Sequence, residues 1–307
     1  MIKRRLNLIN NKLLETPEFI PSLTSIKRYE NYIDLLYYLT GQKISHFMIS
    51  AYDLYHLNSE IPEEIYTQIL ENKSLCFMDS GGFEVHTGVF SKKWNNKLLI
   101  KTSKDINPDI IVSLDTICEN PKDSMLEDIK SYNTIRDKLN DDKQFYEVVI
   151  HGKLFSSIRS FLDNLEVDKK LLAICVPERN LGNSFDIRSE RLKALLQLIK
   201  KEYGFEELLF HLMGCSHPLL IRKYAELGVE LFDGIHWQDS LFNPIKSNFS
   251  DLSRLMEINC TCHYCDKLRN IRKINKKEFE NLYMYYTLSH NLFQYKHLMN
   301  DIRSGNE

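Results

Sequence analysis

Cys76-Phe-Met-Asp-Ser-Gly-Gly-Phe-Glu-Val-His-Thr-Gly88 starts as an apolar run and breaks off at an acid followed by two glycines. Leu75, Cys76, Phe77 and Met78 read as a buried strand, and Gly81-Gly82 permit a tight turn in which backbone approaches a ligand with no Cβ in the way. Asp79 therefore stands where a strand hands over to a loop. Read alone, it does no more than satisfy loop amides. Working outward, further extended runs appear near Phe19, His46, Asp109, Phe145, Leu171, Leu208 and Glu230, most of them separated by helical spacing. Arg28 to Thr40 puts Tyr29, Tyr32, Ile33, Leu36 and Tyr37 on one face and closes at Gly41. Pro62 to Glu71, Pro121 to Leu139 and Leu154 to Leu165 are helical, and Ile187 to Tyr203 is the clearest amphipathic helix. Ser216 is placed to cap a helix that has Pro218 in its first turn and is stopped by Gly228. Eight strands alternating with helices predict an α/β fold, a closed (β/α)8 TIM barrel over residues 1–245. An open doubly wound sheet is the alternative, but no Gly-x-Gly-x-x-Gly follows the first strand. The alternation stops near residue 240, so residues 246–307 are expected to form an appended subdomain packed on the barrel.

Composition narrows the function classes. With 43% hydrophobic residues the chain has material for a large core, and 40 basic against 42 acidic residues give a net charge of -2, so no global field attracts nucleic acid. Any such contact must come from a local patch. No apolar N-terminal stretch resembles a signal peptide and no run approaches a membrane span, so a cytoplasmic protein with no membrane partner is expected. Seven cysteines, of which Cys76, Cys118, Cys175 and Cys215 lie singly in apolar runs, argue for reduced thiols rather than a disulfide framework.

Active sites of such barrels lie at the C-terminal ends of the strands. Here those ends carry Asp79, Asp115, His151 and Asp233. Helix capping explains one or two of the three carboxylates and explains all three less well, because mutual repulsion raises their pKa values. Paired carboxylates suit chemistry at a sugar anomeric carbon, one attacking C1′ to form a covalent intermediate while the other moves the proton of the departing group. A metal-dependent hydrolase using His151, His211 and His236 competes, although it lacks a His-x-His at an early strand.

Cys260-Thr-Cys262-His-Tyr-Cys265 is followed, after 24 intervening residues, by His290. Three thiolates and an imidazole complete tetrahedral coordination, so the expected cofactor is a structural Zn2+. His263 is a rival fourth ligand, but a bridge to a distant helix gains more folding order from the metal. Lys267, Arg269, Arg272, Lys273, Lys276 and Lys277 follow with no acid among them, either as a solvated helix face or as a phosphate-binding patch.

Taken together these motifs resemble the tRNA-guanine transglycosylases, zinc-containing (β/α)8 enzymes that exchange guanine for a 7-deazaguanine base. Asp79-Ser-Gly-Gly-Phe-Glu is close to the family's Asp-Ser-Gly-Gly-Phe-Gln signature, and Thr16-Pro-Glu-Phe-Ile-Pro looks like its opening strand. Leu114-Asp115 resembles its base-recognition acid, Leu212-Met213-Gly214 its Leu-Met-Gly turn, and Leu231-Phe232-Asp233 its nucleophile strand. The cysteine cluster with His290 is similar to its zinc site. The resemblance implies that Asp233 attacks C1′, that Asp79 shuttles the proton, and that Asp115 accepts hydrogen bonds from the guanine-like edge. It further implies that Phe83 and Met213 sandwich a flipped base, with Gly81, Gly82, Gly214, His151 and Gly152 around it.

The departures are informative. The family's Gln-Gly after the fifth strand is His151-Gly152, and its Gly-Gly after the sixth is Cys175-Val176. Its Thr-Arg-x-Ala-Arg-Asn-Gly segment, which helps read the anticodon loop, is replaced by His236-Trp-Gln-Asp-Ser-Leu. Lost tRNA contacts beside an intact catalytic set imply the DNA-modifying branch, which inserts a base such as preQ0 into DNA. tRNA is the alternative polymer and a non-catalytic partner subunit a third reading. The resemblance also implies a homodimer through the zinc region and leaves room for a helper protein.

Overall fold

Successive side chains of a strand point to opposite faces, and in this chain the alternation sorts two apolar sets. The computed structural model describes residues 3–305 apart from 9–11, 26–31, 42–43, 45, 58–60, 72–73, 89–92, 118–120, 140–142, 152–154 and 271–275. Eight parallel strands form a closed barrel: β1 (Glu18–Leu23), β2 (His46–Ser50), β3 (Leu75–Asp79), β4 (Ile110–Val112), β5 (Phe145–Val149), β6 (Leu171–Pro177), β7 (Leu209–Met213) and β8 (Leu231–Gly234). They follow chain order, and β8 closes the ring on β1 with Leu231 opposite Glu18. Ile20, Met48, Phe77, Val112, Val149 and Leu231 belong to the apolar filling of the barrel. Their strand neighbours Phe19, Phe47, Met78, Ile111, Val148 and Phe232 pack with the surrounding helices. The expected (β/α)8 TIM barrel is therefore the fold, and closure removes the doubly wound alternative.

The strands fall on or beside the runs read from the sequence, and the helix Pro121–Leu139 matches at both ends. Two local expectations change. The amphipathic segment begins at Phe185, is α-helical to Leu196 and then widens to a π-turn over Gln197–Glu202. Ser216 does not cap the helix Pro218–Leu227. The helix starts at Pro218, so His217 takes that place, without a side-chain bond, and the Ser216 hydroxyl is engaged by the imidazole of His236.

An antiparallel hairpin of Arg4–Asn7 with Leu13–Thr16 plugs the N-terminal end of the barrel. Leu8 and Leu14 join the barrel filling. Arg4 Nε sits 2.6 Å from Glu230 and Lys12 Nζ 2.7 Å from Asp109. The C-terminal helix Lys276–Ser304 returns along the barrel. Its Tyr295 ring stacks on Phe19 at 3.9 Å between centroids, and its hydroxyl donates to the Ser216 carbonyl at 2.7 Å. Leu288, Tyr295 and Met299 share the core between strands and helices. Residue 245 falls in the turn of a second hairpin, Leu241–Asn243 with Asn248–Ser250. Among the described residues no helix is long and apolar enough to cross a membrane.

Candidate active site and metal centre

The strand alternation that fills the barrel also aims polar side chains at its C-terminal mouth. Asp79 shares the inward parity of Phe77, Asp233 that of Leu231, and Ser22 that of Ile20. A cavity of about 340 Å³ opens there, within the size range of small-ligand sites. Asp79, Phe83, Asp115, His151, Met213, Gly214 and Asp233, all expected from the sequence, line this one cavity. Gly152 lies outside the described residues.

The two carboxylates assigned to chemistry sit in different surroundings. Asp233 accepts from the Ser22 hydroxyl at 2.9 Å through Oδ2 and from the Gly214 amide at 2.8 Å through Oδ1. His211 Nε2 lies 3.4 Å from the same Oδ1. Among the described residues, Asp79 accepts only the Gly81 amide at 3.0 Å from outside its own peptide neighbours. Burial pushes its carboxyl up to about 7, with the nearby charges of Asp115 and Asp233 adding to the shift. It can therefore hold a proton at neutral pH and release it. Glu84, next to Phe83, belongs to the same acid group. Its Oε1 accepts from Thr24 at 2.7 Å, its Oε2 is buried with no hydrogen-bond partner among the described residues, and burial beside Asp53 and Asp79 raises it well above the usual carboxylate range. A neutral carboxyl keeps both a donor and an acceptor.

Asp115 accepts from Ser80 at 2.9 Å and from His151 Nε2. The Asn180 amide donates to His151 Nδ1 at 2.9 Å, which leaves the ring proton on Nε2. His151 thus orients the acid as well as lining the cavity. The roles of two glycines differ from the expectation that they make room for a ligand. Gly81, at φ 83°, would put a Cβ 2.3 Å from that of Tyr52, and a Cβ on Gly82 would meet Asp115 Oδ1 at 2.6 Å. Their missing side chains admit a helix and the acid. Phe83 is not a bare platform either, since the Arg179 guanidinium sits 4.5 Å over its ring. Arg179 and Glu84 had no assigned role in the sequence, Arg179 because nothing in its short-range pattern marks it.

The three histidines of the hydrolase reading do not converge. His151 serves Asp115, His236 meets Ser216, and His211 is bound at 2.9 Å to Glu147 inside the barrel. Glu147, Cys175 and His211 are close enough to share an ion. They bond one another in part, the Cys175 thiol lying 3.3 Å from the Glu147 carboxylate, while Glu147 Oε1 and His211 Nε2 make no aligned hydrogen bond among the described residues.

The second cluster has the opposite character. The sulfurs of Cys260, Cys262 and Cys265 lie 3.8, 3.3 and 3.4 Å from His290 Nδ1. Ligands about 2.3 and 2.0 Å from a tetrahedral zinc would be about 3.5 Å apart, so the group fits such an ion. His290 Nε2 is 2.8 Å from the Phe242 carbonyl, which fixes the proton there and frees Nδ1 as ligand. His263, the rival ligand, is exposed and lies against Tyr264. A metal would tie the helix His263–Arg269 to the long C-terminal helix. In the basic run, Lys267 is exposed, whereas Arg269 donates to the carbonyls of Ile258 and Cys260 at 3.1 and 2.5 Å and so braces the metal loop. Arg272 and Lys273 lie outside the described residues, and Lys276 and Lys277 open the long helix. No protein-family model matches this chain, and no curated protein matches it significantly.

Proposed function

We propose that this chain is a base-exchange transglycosylase that replaces guanine in DNA with a 7-deazaguanine base such as preQ0. The observation that carries the reading is the contrast between two acids of one cavity, Asp233 held by a hydroxyl and an amide, and Asp79 pushed up to about 7. A double displacement needs such a pair, an anion to attack and an acid to cycle. One Asp233 oxygen forms a bond to C1′ as the glycosidic bond breaks, and the bond pair leaves with guanine, which takes the Asp79 proton. The incoming base then gives a proton to Asp79 and attacks C1′, and the ester pair returns to Asp233. Asp115, oriented by Ser80 and His151, offers acceptors to the guanine-like edge. The cavity accepts one base, so the target must leave its stack first. The cysteine cluster would hold a structural zinc, which supplies cross-linking and no reaction step.

The replaced segment after the nucleophile favours DNA over tRNA. His236 lines the cavity, and Trp237 is fully buried, donating to the Ser22 carbonyl at 2.8 Å. This segment thus serves the pocket wall and leaves no arginine pair there for an anticodon loop. The test is nucleoside mass spectrometry of DNA and tRNA after incubation with labelled guanine or preQ0. Label in DNA is expected. Label in tRNA alone would sink the DNA reading, and label in neither, with no covalent adduct at Asp233, would sink the transglycosylase reading.

A further inference from the structure

Beneath the cavity, the barrel holds a polar chain that none of the roles above uses. Glu147 of β5 and His211 of β7 are completely buried, and Asp233 of β8 is 7% exposed. His211 Nδ1 lies 2.9 Å from Glu147 Oε2, and its Nε2 lies 3.4 Å from Asp233 Oδ1. The ring therefore stands between two carboxylates. Among the described residues, the other titratable group beside it is Cys175 of β6, whose strand neighbour is His211 and whose thiol lies 3.3 Å from Glu147. Burial and Glu147 push that thiol well above its usual range, so it stays a neutral donor. A buried carboxylate with only a thiol beside it would be costly. Glu147 is therefore matched to a cation, and among the described residues no Lys or Arg reaches it.

We infer that Glu147 and His211 form a positioning pair that keeps an imidazolium behind Asp233, so that the nucleophile stays anionic among the other acids of the mouth. The inference rests on the proposed transglycosylase reading for its catalytic consequence, and on the geometry alone for the charged ring. In the first displacement the cation holds Asp233 in its attacking form. In the second, as C1′ bonds to the new base and the C1′–O bond breaks, the electron pair returns to a carboxylate already facing a positive charge, which makes it a better leaving group. Burial opposes the charge on His211, but Glu147 and Asp233 together push its pKa up to about 10. The ring is then doubly protonated throughout the neutral range.

Two measurements test this separately. In the first, the His211 imidazole nitrogens are followed by NMR on the full-length protein, identified by their loss in His211→Gln. They should report a doubly protonated ring at pH 8 in the native protein and a neutral one in Glu147→Gln. A neutral ring in the native protein overturns the proposal whether or not the protein turns over DNA. In the second, base exchange and adduct formation at Asp233 are measured against pH for both variants, with circular dichroism confirming the fold. Exchange should fall at least tenfold, and the acid limb of the profile should move up by about one unit in each. A fall in rate with an unmoved acid limb means that the pair merely fills space and overturns the proposal. Native protein that forms no adduct with DNA or tRNA, while its His211 is charged, fails the transglycosylase reading and leaves the charged pair standing.

Discussion

The two ends of this barrel carry similar numbers of buried or half-buried acids and treat them oppositely. At the plugged end, Glu230 meets Arg4 and Lys200 at 2.6 and 2.7 Å, Asp109 meets Lys12 at 2.7 Å, and Glu18 meets Arg303 at 3.0 Å. At the open end, among the described residues, no Lys or Arg forms an ion pair with Asp79, Glu84, Asp115 or Asp233. Pairing spends a carboxylate on stability, whereas leaving it beside others keeps it able to titrate and react. The closed set of three cysteines and a histidine belongs with the plugged end in this respect, since each ligand atom has its partner.

Four experiments would break or sharpen that contrast. The largest effect is expected from the metal site, because structural zinc contributes on the order of 10 kcal/mol to folding. Metal analysis should return one zinc per chain, and Cys262→Ser should lose both the metal and the cooperative thermal transition of the C-terminal region. A folded, metal-free Cys262→Ser protein would remove the cluster from the satisfied class. Next, Asp233→Ala should abolish adduct and exchange, a loss of at least about 10³-fold, without lowering Tm. A large fall in Tm would show that Asp233 is a structural acid like those at the other end.

At the plugged end, Glu230→Ala leaves the Lys200 ammonium buried and unpaired and should cost about 3–5 kcal/mol. Denaturant unfolding reads this directly. The fraction that remains folded should exchange base at the native rate, since Glu230 is remote from the cavity lining. Asp79→Asn should act in the opposite direction on stability. The Asp79 carboxyl titrates about 7 in the fold against an ordinary 3.8, with burial as the leading cause. Its contribution is therefore complete below about pH 4 and is lost as pH rises through 7. Asp53, raised to about 6, and Asp128, raised to about 7, reinforce the same window. Tm should fall between pH 5 and 8, and Asp79→Asn should raise it at pH 8 by ~2–4 °C while ending exchange. A destabilised Asp79→Asn protein at pH 8 would mean that this acid is paired after all.

Much of this division is legible in the chain. The helix Pro121–Leu139 was readable to the residue because its pattern is locally complete, and Asp79 and Asp233 announce themselves by ending apolar runs. The cysteine spacing shows a closed ligand set before any fold is known. Glu147 and His211 were harder, although parity with Val149 and Met213 would have turned both inward. Their partnership was invisible because 63 residues separate them along the chain, as β5 and β7 are not neighbours in the barrel. The N-terminal hairpin escaped notice for a related reason, since its strands of four residues carry little periodicity and Arg4 finds its acid at Glu230.

By itself the sequence determined the alternation of strands and helices, the acids at the strand ends and the thiol and imidazole cluster, all properties of residue order. Only the tertiary structure decided which acids are neutralised and which are left in conflict. Proton affinity depends on burial and on charges a few ångströms away, and barrel closure brings those charges together from opposite ends of the chain.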